Sequence, residues 1–143
     1  MSTRFELGSP AWFDAVMAIV RELLAGTDLT GTYSFSEQYV NAPEYLPCDA
    51  TGRIGWHFRV ANGALTTAFG PLDGADMTVL ADYTLVQPFA SIPSTDLDGT
   101  KLARRAVREG VRNGRFSATG KVGPSDRFPA LAPLHDRVAA ITR

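Results

Sequence analysis

Residues 53–70, RIGWHFRVANGALTTAFG, read as two β-strands that fold back on each other at Asn62-Gly63. Asn-Gly is the preferred pair for a two-residue hairpin turn, because both of its residues readily adopt positive φ. Side chains alternate between the two faces of a strand, so one face of this hairpin carries the large apolar residues Trp56, Phe58, Leu65 and Phe69. The stretch therefore predicts a hairpin with one largely aromatic face, and a core or a ligand must cover it.

Three further strands are predicted around the hairpin. Residues 31–40, GTYSFSEQYV, alternate so that one face carries Tyr33, Phe35, Glu37 and Tyr39. We expect the opposite face, with Ser34, Ser36, Gln38 and Val40, to be exposed to solvent. ADMTVLADY, from residue 75, predicts a fourth strand that contains Met77. GRFSATGK, residues 114–121, predicts a fifth, with Phe116 and Ala118 on one side.

Helices are predicted at both ends of the chain and before the fifth strand. Ser9-Pro10 is a helix-start signal, and residues 11–25 carry a broad apolar stripe that Gly26 ends. Two prolines limit residues 84–93, which include Phe89, to one or two turns. A helix is expected over residues 100–113. In the tail from about residue 125, helical spacing predicts an apolar C-terminal helix with Phe128, Leu131, Leu134, Val138 and Ile141.

Composition limits the class of protein. A chain of 143 residues that is 45% hydrophobic suits one globular domain, residues 1–143. The net charge of −1 supplies no general attraction for nucleic acid, and no apolar run is long enough to cross a bilayer. A single cysteine, Cys48, and an N-terminus without signal-peptide features predict a cytoplasmic location. Two histidines and one cysteine without short spacing predict no metal site, and no cofactor motif is present.

Three stretches share a further pattern. GWHFRVANGALTTAFG is an aromatic strand turned at Asn-Gly, ADMTVLADYTLV leads from a strand into a helix, and GRFSATGKVG is followed by FPALAPLHDRV. In this order, from about Thr32 to the C-terminus, they resemble the sterol carrier protein type 2 (SCP-2) family of small lipid-binding domains.

The resemblance implies an α+β fold. Its expected form is a mostly antiparallel sheet of about five strands, covered on one face by helices, with an apolar tunnel between the two layers. The residues expected to line that tunnel are Tyr33, Phe35, Tyr39, Trp56, Phe58, Leu65, Phe69, Met77, Phe89, Phe116, Phe128, Leu131 and Leu134. The alternative is that the same side chains form an ordinary core, because half-buried strands normally carry such residues.

Two titratable residues are candidates for catalysis. Glu37 alternates in phase with three aromatic residues, and a carboxyl group on an apolar face has a raised pKa and can act as an acid, a base or a ligand anchor. His135 lies on the predicted C-terminal helix beside Leu134. The alternatives are that Glu37 reaches water at a strand end and that His135 lies on the helix surface.

Basic residues are concentrated in RRAVREGVRNGR, which contains Arg104, Arg105, Arg108, Arg112 and Arg115. This run is either a solvated helix face or a contact surface for an anionic partner, such as a membrane or an acyl carrier.

Three functions follow as hypotheses. The first is binding or transfer of an apolar small molecule such as a lipid, sterol, fatty acyl chain or polyketide. The second is an enzyme on the same scaffold that uses Glu37 or His135 for proton transfer. The third is a non-catalytic partner subunit whose groove takes a helix of another protein. Without a catalytic motif, the first hypothesis is preferred.

Overall fold

The computed structural model describes residues 3–143 as a five-stranded sheet with helices on one face. The strands are β1 (Tyr33–Val40), β2 (Ile54–Ala61), β3 (Ala64–Phe69), β4 (Met77–Asp82) and β5 (Phe116–Gly120). The α-helices are α1 (Pro10–Leu24), α2 (Tyr83–Val86), α3 (Leu97–Arg112), α4 (Pro124–Arg127) and α5 (Leu134–Ile141). Short 3₁₀ turns follow α2 at Gln87–Phe89 and α4 at Pro129–Leu131.

The sheet has the strand order β3-β2-β1-β4-β5, and only the β1–β4 pair is parallel. This arrangement confirms the predicted α+β fold and the hairpin at Asn62-Gly63. The register places Phe35 beside Phe58 and Glu37 beside Trp56, so the aromatic positions of β1 and β2 share one face. That face carries the core, and the helices pack against it.

Helix α1 forms where the sequence predicts it. The Ser9 hydroxyl accepts a hydrogen bond from the Trp12 backbone N–H at 3.2 Å, and Pro10 occupies the first helical position. Its apolar stripe is buried against the sheet, with Phe13 and Val20 fully enclosed. Among residues 3–143, no helix is long and apolar enough to cross a membrane.

The opposite face of β1 is less exposed than the alternation predicts. Ser36 and Gln38 are buried, because the segment after β3 crosses this side of the sheet. The Ser36 hydroxyl accepts hydrogen bonds from the Leu72 backbone N–H and the Gln38 amide, each at 3.0 Å. The prediction of a solvated face is therefore wrong at these two positions, since polar residues are buried where a loop supplies hydrogen-bond partners.

Two helix predictions also need correction. Helix α3 begins at Leu97, because the Asp96 carboxylate caps its first turn by accepting from the Gly99 N–H at 2.9 Å. The apolar tail is not one helix. Pro129 and Pro133 divide it into α4, a 3₁₀ turn and α5, since proline cannot supply the N–H that a continuous helix needs.

Candidate functional site

A cavity of about 390 Å³ lies between the sheet and the helices. Its floor is formed by the apolar face of β1, β2, β4 and β5, and its walls come from α1, α2, α3 and α5. The lining residues are Leu7, Trp12, Val16, Glu37, Tyr39, Trp56, Val79, Ala81, Leu85, Val86, Phe89, Ala90, Ala103, Val107, Phe116, Leu134, His135 and Val138. The volume lies within the range of small-molecule sites, and nearly all the lining side chains are apolar.

The structure divides the residues predicted to form the site into two groups. One group lines the cavity: Glu37, Tyr39, Trp56, Phe89, Phe116, Leu134 and His135. The other lies outside the cavity lining: Tyr33, Phe35, Phe58, Leu65, Phe69, Met77, Phe128 and Leu131. Both candidate catalytic residues therefore line the same cavity.

Except for Phe69, which pairs with Trp56, the second group lies at the opposite end of the sheet. Tyr33 packs edge-on against Phe128 with ring centroids 5.8 Å apart, and Phe35 lies 5.8 Å from Phe58. Phe69 is on the expected face but is 46% exposed at the sheet edge, where it packs against Phe13 at 5.0 Å. These rings pack against one another, so this end of the sheet resembles an ordinary aromatic core.

Glu37 projects from the middle of β1 into the cavity. One carboxylate oxygen, Oε1, accepts a hydrogen bond from the Tyr39 hydroxyl and a longer one, 3.4 Å, from the Trp56 indole N–H. The exposed part of the residue faces the cavity rather than bulk solvent, because residues of the sheet and helices surround it. Tyr39 and Trp56 thereby fix the orientation of the carboxyl group.

Burial dominates the titration of this group. Loss of hydration raises the pKa of Glu37 above its ordinary value, although the hydrogen bonds from Tyr39 and Trp56 and the nearby His135 oppose the rise. Burial and the adjacent carboxyl raise the pKa of the Tyr39 hydroxyl as well. The neutral acid form of Glu37 is therefore favoured at higher pH than for a solvated glutamate.

The cavity adjoins a wider surface groove between the 89–97 segment, α3 and the start of α5. Phe89, Ala103, Val107 and His135 line both spaces, so the groove lies directly beside the cavity. Leu97, Lys101, Arg104 and Arg108 also line the groove, among other residues. The groove beside the apolar cavity is thus lined in part by basic residues.

Two side chains of α5 fasten the 89–97 segment at this mouth. His135 Nε2 lies 3.1 Å from the Ile92 carbonyl oxygen, and because that oxygen only accepts, Nε2 carries the hydrogen. The Asp136 carboxylate accepts from the Ser94 backbone N–H at 2.8 Å and from its hydroxyl at 2.6 Å. These two hydrogen bonds hold the pKa of Asp136 below its usual value. His135 therefore has a structural partner as well as a place on the cavity wall.

The basic residues of α3 point away from the sheet. Leu97, Lys101, Arg104, Arg108 and Val111 follow i, i+4, i+7, i+11, i+14 spacing and so share one side of the helix. All five are exposed, Leu97 by 78% and Val111 by 57%. Leu102, which is 58% exposed, lies on the adjoining side of the helix with Arg105, which pairs with Glu109 at 3.6 Å. The outer surface of α3 is therefore basic with exposed aliphatic residues.

Arg115 does not belong to this surface. Its guanidinium contacts the Asp82 carboxylate at 3.2 Å and the Thr84 hydroxyl at 2.9 Å, which ties the start of β5 to the end of β4. Burial opposes ionisation of Asp82, but hydrogen bonds from Thr84, Asn41 and Arg115 outweigh it and lower the pKa. Arg115 therefore has a structural contact that the run of arginines in the sequence does not reveal.

Several wall residues escaped sequence reasoning. In the sequence, Trp12 and Val16 are only part of the apolar stripe of α1, and Ala103 and Val107 have no functional signal. Thr142 gave no signal, yet its buried hydroxyl accepts from the Trp12 indole N–H at 2.9 Å and holds that ring in the wall. Such contacts join opposite ends of the chain and have no local signature.

The chemistry available at the site is narrow. Within the described range, residues 3–143, no three His, Cys, Asp or Glu side chains are grouped closely enough to hold a metal ion. Apart from the Tyr39 hydroxyl and the Trp56 indole, the cavity offers Glu37 and His135 as titratable or polar groups. The arrangement can enclose an apolar molecule and can hydrogen-bond or exchange a proton with it at Glu37.

Comparison with known proteins places few limits on this site. No family model and no curated protein matches the chain. Among solved structures, it is similar to a palmitated SCP2L2 from Aedes aegypti determined by solution NMR. The two are 12% identical, with 85% of this chain and 92% of that chain covered and a TM-score of 0.37. A similarity of this size assigns no family and no function, so the function is inferred from the residues that line the cavity.

Proposed function

We propose that this protein binds an apolar small molecule, such as a lipid, sterol, fatty acyl chain or polyketide, in the cavity between sheet and helices. The observation that supports this proposal is the cavity of about 390 Å³, apolar on nearly every side and adjacent to a surface groove. Such concave, mostly apolar sites with a few polar groups are typical of small-molecule binding.

The driving force is burial of the ligand. Each enclosed methylene contributes about 0.8 kcal/mol, so a chain of about ten methylenes gains roughly 8 kcal/mol before the costs of association. Lost translational and rotational freedom reduces this gain by several kcal/mol. A gain of roughly 8 kcal/mol corresponds to a dissociation constant of about 1 μM before these costs, so affinities clearly weaker than this are expected for a simple alkyl chain.

A bulky residue in the cavity wall tests the proposal. Ala103 is half-buried on α3 and lines both the cavity and the groove. Ala103→Phe should weaken binding of an apolar fluorescent probe at least tenfold, because the ring occupies the entry to the cavity. Ala18→Phe is the matched control, since Ala18 is exposed in the middle of α1. Equal probe affinity in both variants and the parent protein would contradict the proposal.

We further propose that the outer surface of α3 brings the cavity mouth to an anionic membrane. Within residues 3–143, Lys101, Arg104, Arg108 and Arg112 form no ion pair, and Leu97 and Val111 expose aliphatic surface beside them. Basic residues near a bilayer each contribute about 1 kcal/mol on anionic lipid, and exposed leucines can enter the interface.

Vesicle sedimentation distinguishes this surface from a solvated helix face. The double change Arg104→Glu with Arg108→Glu should reduce binding to phosphatidylserine-containing vesicles at least tenfold. Arg59→Glu with Lys121→Glu alters the same charge on exposed positions outside α3 and should have a smaller effect. Equal losses in the two double variants, or capture of an acidic acyl carrier without any vesicle binding, would contradict membrane contact.

A catalytic role is the second candidate function, because Glu37 and His135 both line the cavity. Native mass spectrometry of the gently purified protein would identify a co-purifying ligand. Glu37→Gln should then lower turnover of that ligand roughly a hundredfold if the carboxyl transfers a proton, with affinity little changed. Equal affinity and no turnover in either protein would contradict a catalytic role and leave ligand binding as the only function supported.

A further inference from the structure

The carboxyl group of Glu37 is a polar group held in a fixed position within the apolar cavity. It lies in β1, opposite Trp56 on one neighbouring strand and Val79 on the other. Of the cavity-lining residues within 3–143, it alone carries a carboxyl group. The surrounding wall is aliphatic or aromatic, so any polar atom of a bound molecule must find its partner here or near the mouth.

The two oxygens of this carboxyl group are not equivalent. Oε1 accepts from both the Tyr39 hydroxyl and the Trp56 indole N–H. Oε2 makes no hydrogen bond to the described residues, yet none of their buried side-chain oxygens or nitrogens lacks a partner. Oε2 is therefore accessible, and the cavity that Glu37 lines gives access to it.

We propose that Oε2 of Glu37 binds a neutral oxygen of the ligand, a hydroxyl or carbonyl group, at the inner end of the cavity. This inference rests on the proposed function and specifies the class of apolar molecule that the site takes. With both aromatic donors on Oε1, a proton on Oε2 points into the cavity and donates to such an oxygen. A hydroxyl group can also donate to the ionised form, so it fits either state.

Charged ligand groups fit this point less well. An ionised Glu37 repels a ligand carboxylate. The carboxylate would also be buried among apolar walls, and the strands next to β1 place no cationic side chain in the cavity lining. An ammonium group would form an ion pair in an apolar space, where the desolvation of both ions opposes their attraction. Burial also favours the neutral form of the glutamate.

Matched ten-carbon probes test the inference. The affinities of 1-decanol and decane are measured by displacement of an apolar fluorescent probe from the parent protein, Glu37→Leu and Glu37→Gln. We expect the ratio of decanol affinity to decane affinity to fall about tenfold in Glu37→Leu, because the hydroxyl loses its partner. Glu37→Gln should retain part of the ratio, since an amide still donates and accepts.

The decane affinity shows that each variant is folded with an open cavity, so a change in the ratio reports on the oxygen alone. An unchanged ratio in Glu37→Leu would overturn the inference while leaving apolar binding intact. Tighter binding of decylamine than of decanol would also overturn it, in favour of a cationic ligand. Failure of the parent protein to bind either decane or decanol would refute the proposed function itself.

Discussion

The two ends of the apolar sheet face carry similar sequence patterns and have different interiors. At one end, Tyr33, Phe35 and Phe58 pack against one another and against Phe128, with centroid distances of 5.8–6.0 Å. At the other end, Glu37, Tyr39 and Trp56 line the cavity. Each end draws on alternate residues of the same two strands, β1 and β2.

The difference lies in what the rest of the chain places above the strands. Phe128 and Leu131, both almost fully buried, fill the first end. Above the second end stand both large and small side chains, from Trp12 and Phe89 to Ala103, and the cavity remains between them and the sheet. A strand therefore specifies which side chains face inward, while the size of the partners from other elements determines whether space remains.

Removing a ring from the filled end should have the largest effect. Phe58 is fully buried, so Phe58→Ala should lower the free energy of unfolding by about 3–5 kcal/mol through lost burial and a new void. Phe116 is half-buried at the cavity, and Phe116→Ala should cost less than half as much. Urea unfolding measures both, and equal losses would mean that the two ends are packed alike.

The open end should depend on hydrogen bonds that hold its walls. Thr142→Val removes the acceptor of the buried Trp12 indole N–H and should cost about 1–3 kcal/mol in the free energy of unfolding. Thr142→Ser retains a hydroxyl at the same place and serves as the control. A serine variant as unstable as the valine variant would assign the effect to packing of the methyl group instead.

Glu37 should make stability depend on pH. Its folded pKa is raised above the ordinary value of 4.5, so between those two values the folded state holds a proton that the unfolded state has lost. The stabilisation that protonated Glu37 gives the folded state is thus full below pH 4.5 and is lost as pH rises through the folded pKa. The free energy of unfolding should fall as the pH rises across this range. Glu37→Gln should abolish that fall, whereas Glu22→Gln, at an exposed site, should retain it. An identical pH dependence in Glu37→Gln and the parent protein would place the carboxyl group in water.

The smallest effect is expected at Gly110, where α3 approaches α2 and β5. A Cβ at this position would lie 2.5 Å from Leu85 Cδ2, and Leu85 lines the cavity. Gly110→Ala should displace that flexible side chain into the cavity and weaken probe binding a few-fold. Stability should change by no more than about 1 kcal/mol, since alanine favours the helix. Arg112→Ala, an exposed change on the same helix, should leave probe affinity unaltered.

Strand alternation predicted much of the site. It placed Glu37, Tyr39 and Trp56 on one face, and the register confirms that arrangement. Strand alternation could not distinguish these cavity-lining residues from Phe35 and Phe58, which lie outside the cavity lining. The outer-face prediction was wrong for the same reason, because burial of Ser36 depends on a loop from elsewhere in the chain.

The sequence alone determined the elements whose causes are local. The Asn62-Gly63 turn, the Ser9 cap of α1 and the alternation of β1 each depend on residues a few positions apart, where backbone preference and periodicity operate. Only the tertiary structure decided where the cavity lies and what surrounds Glu37. Those features depend on contacts between distant segments, such as α1 with α5 and Trp12 with Thr142, whose packing has no periodic signature.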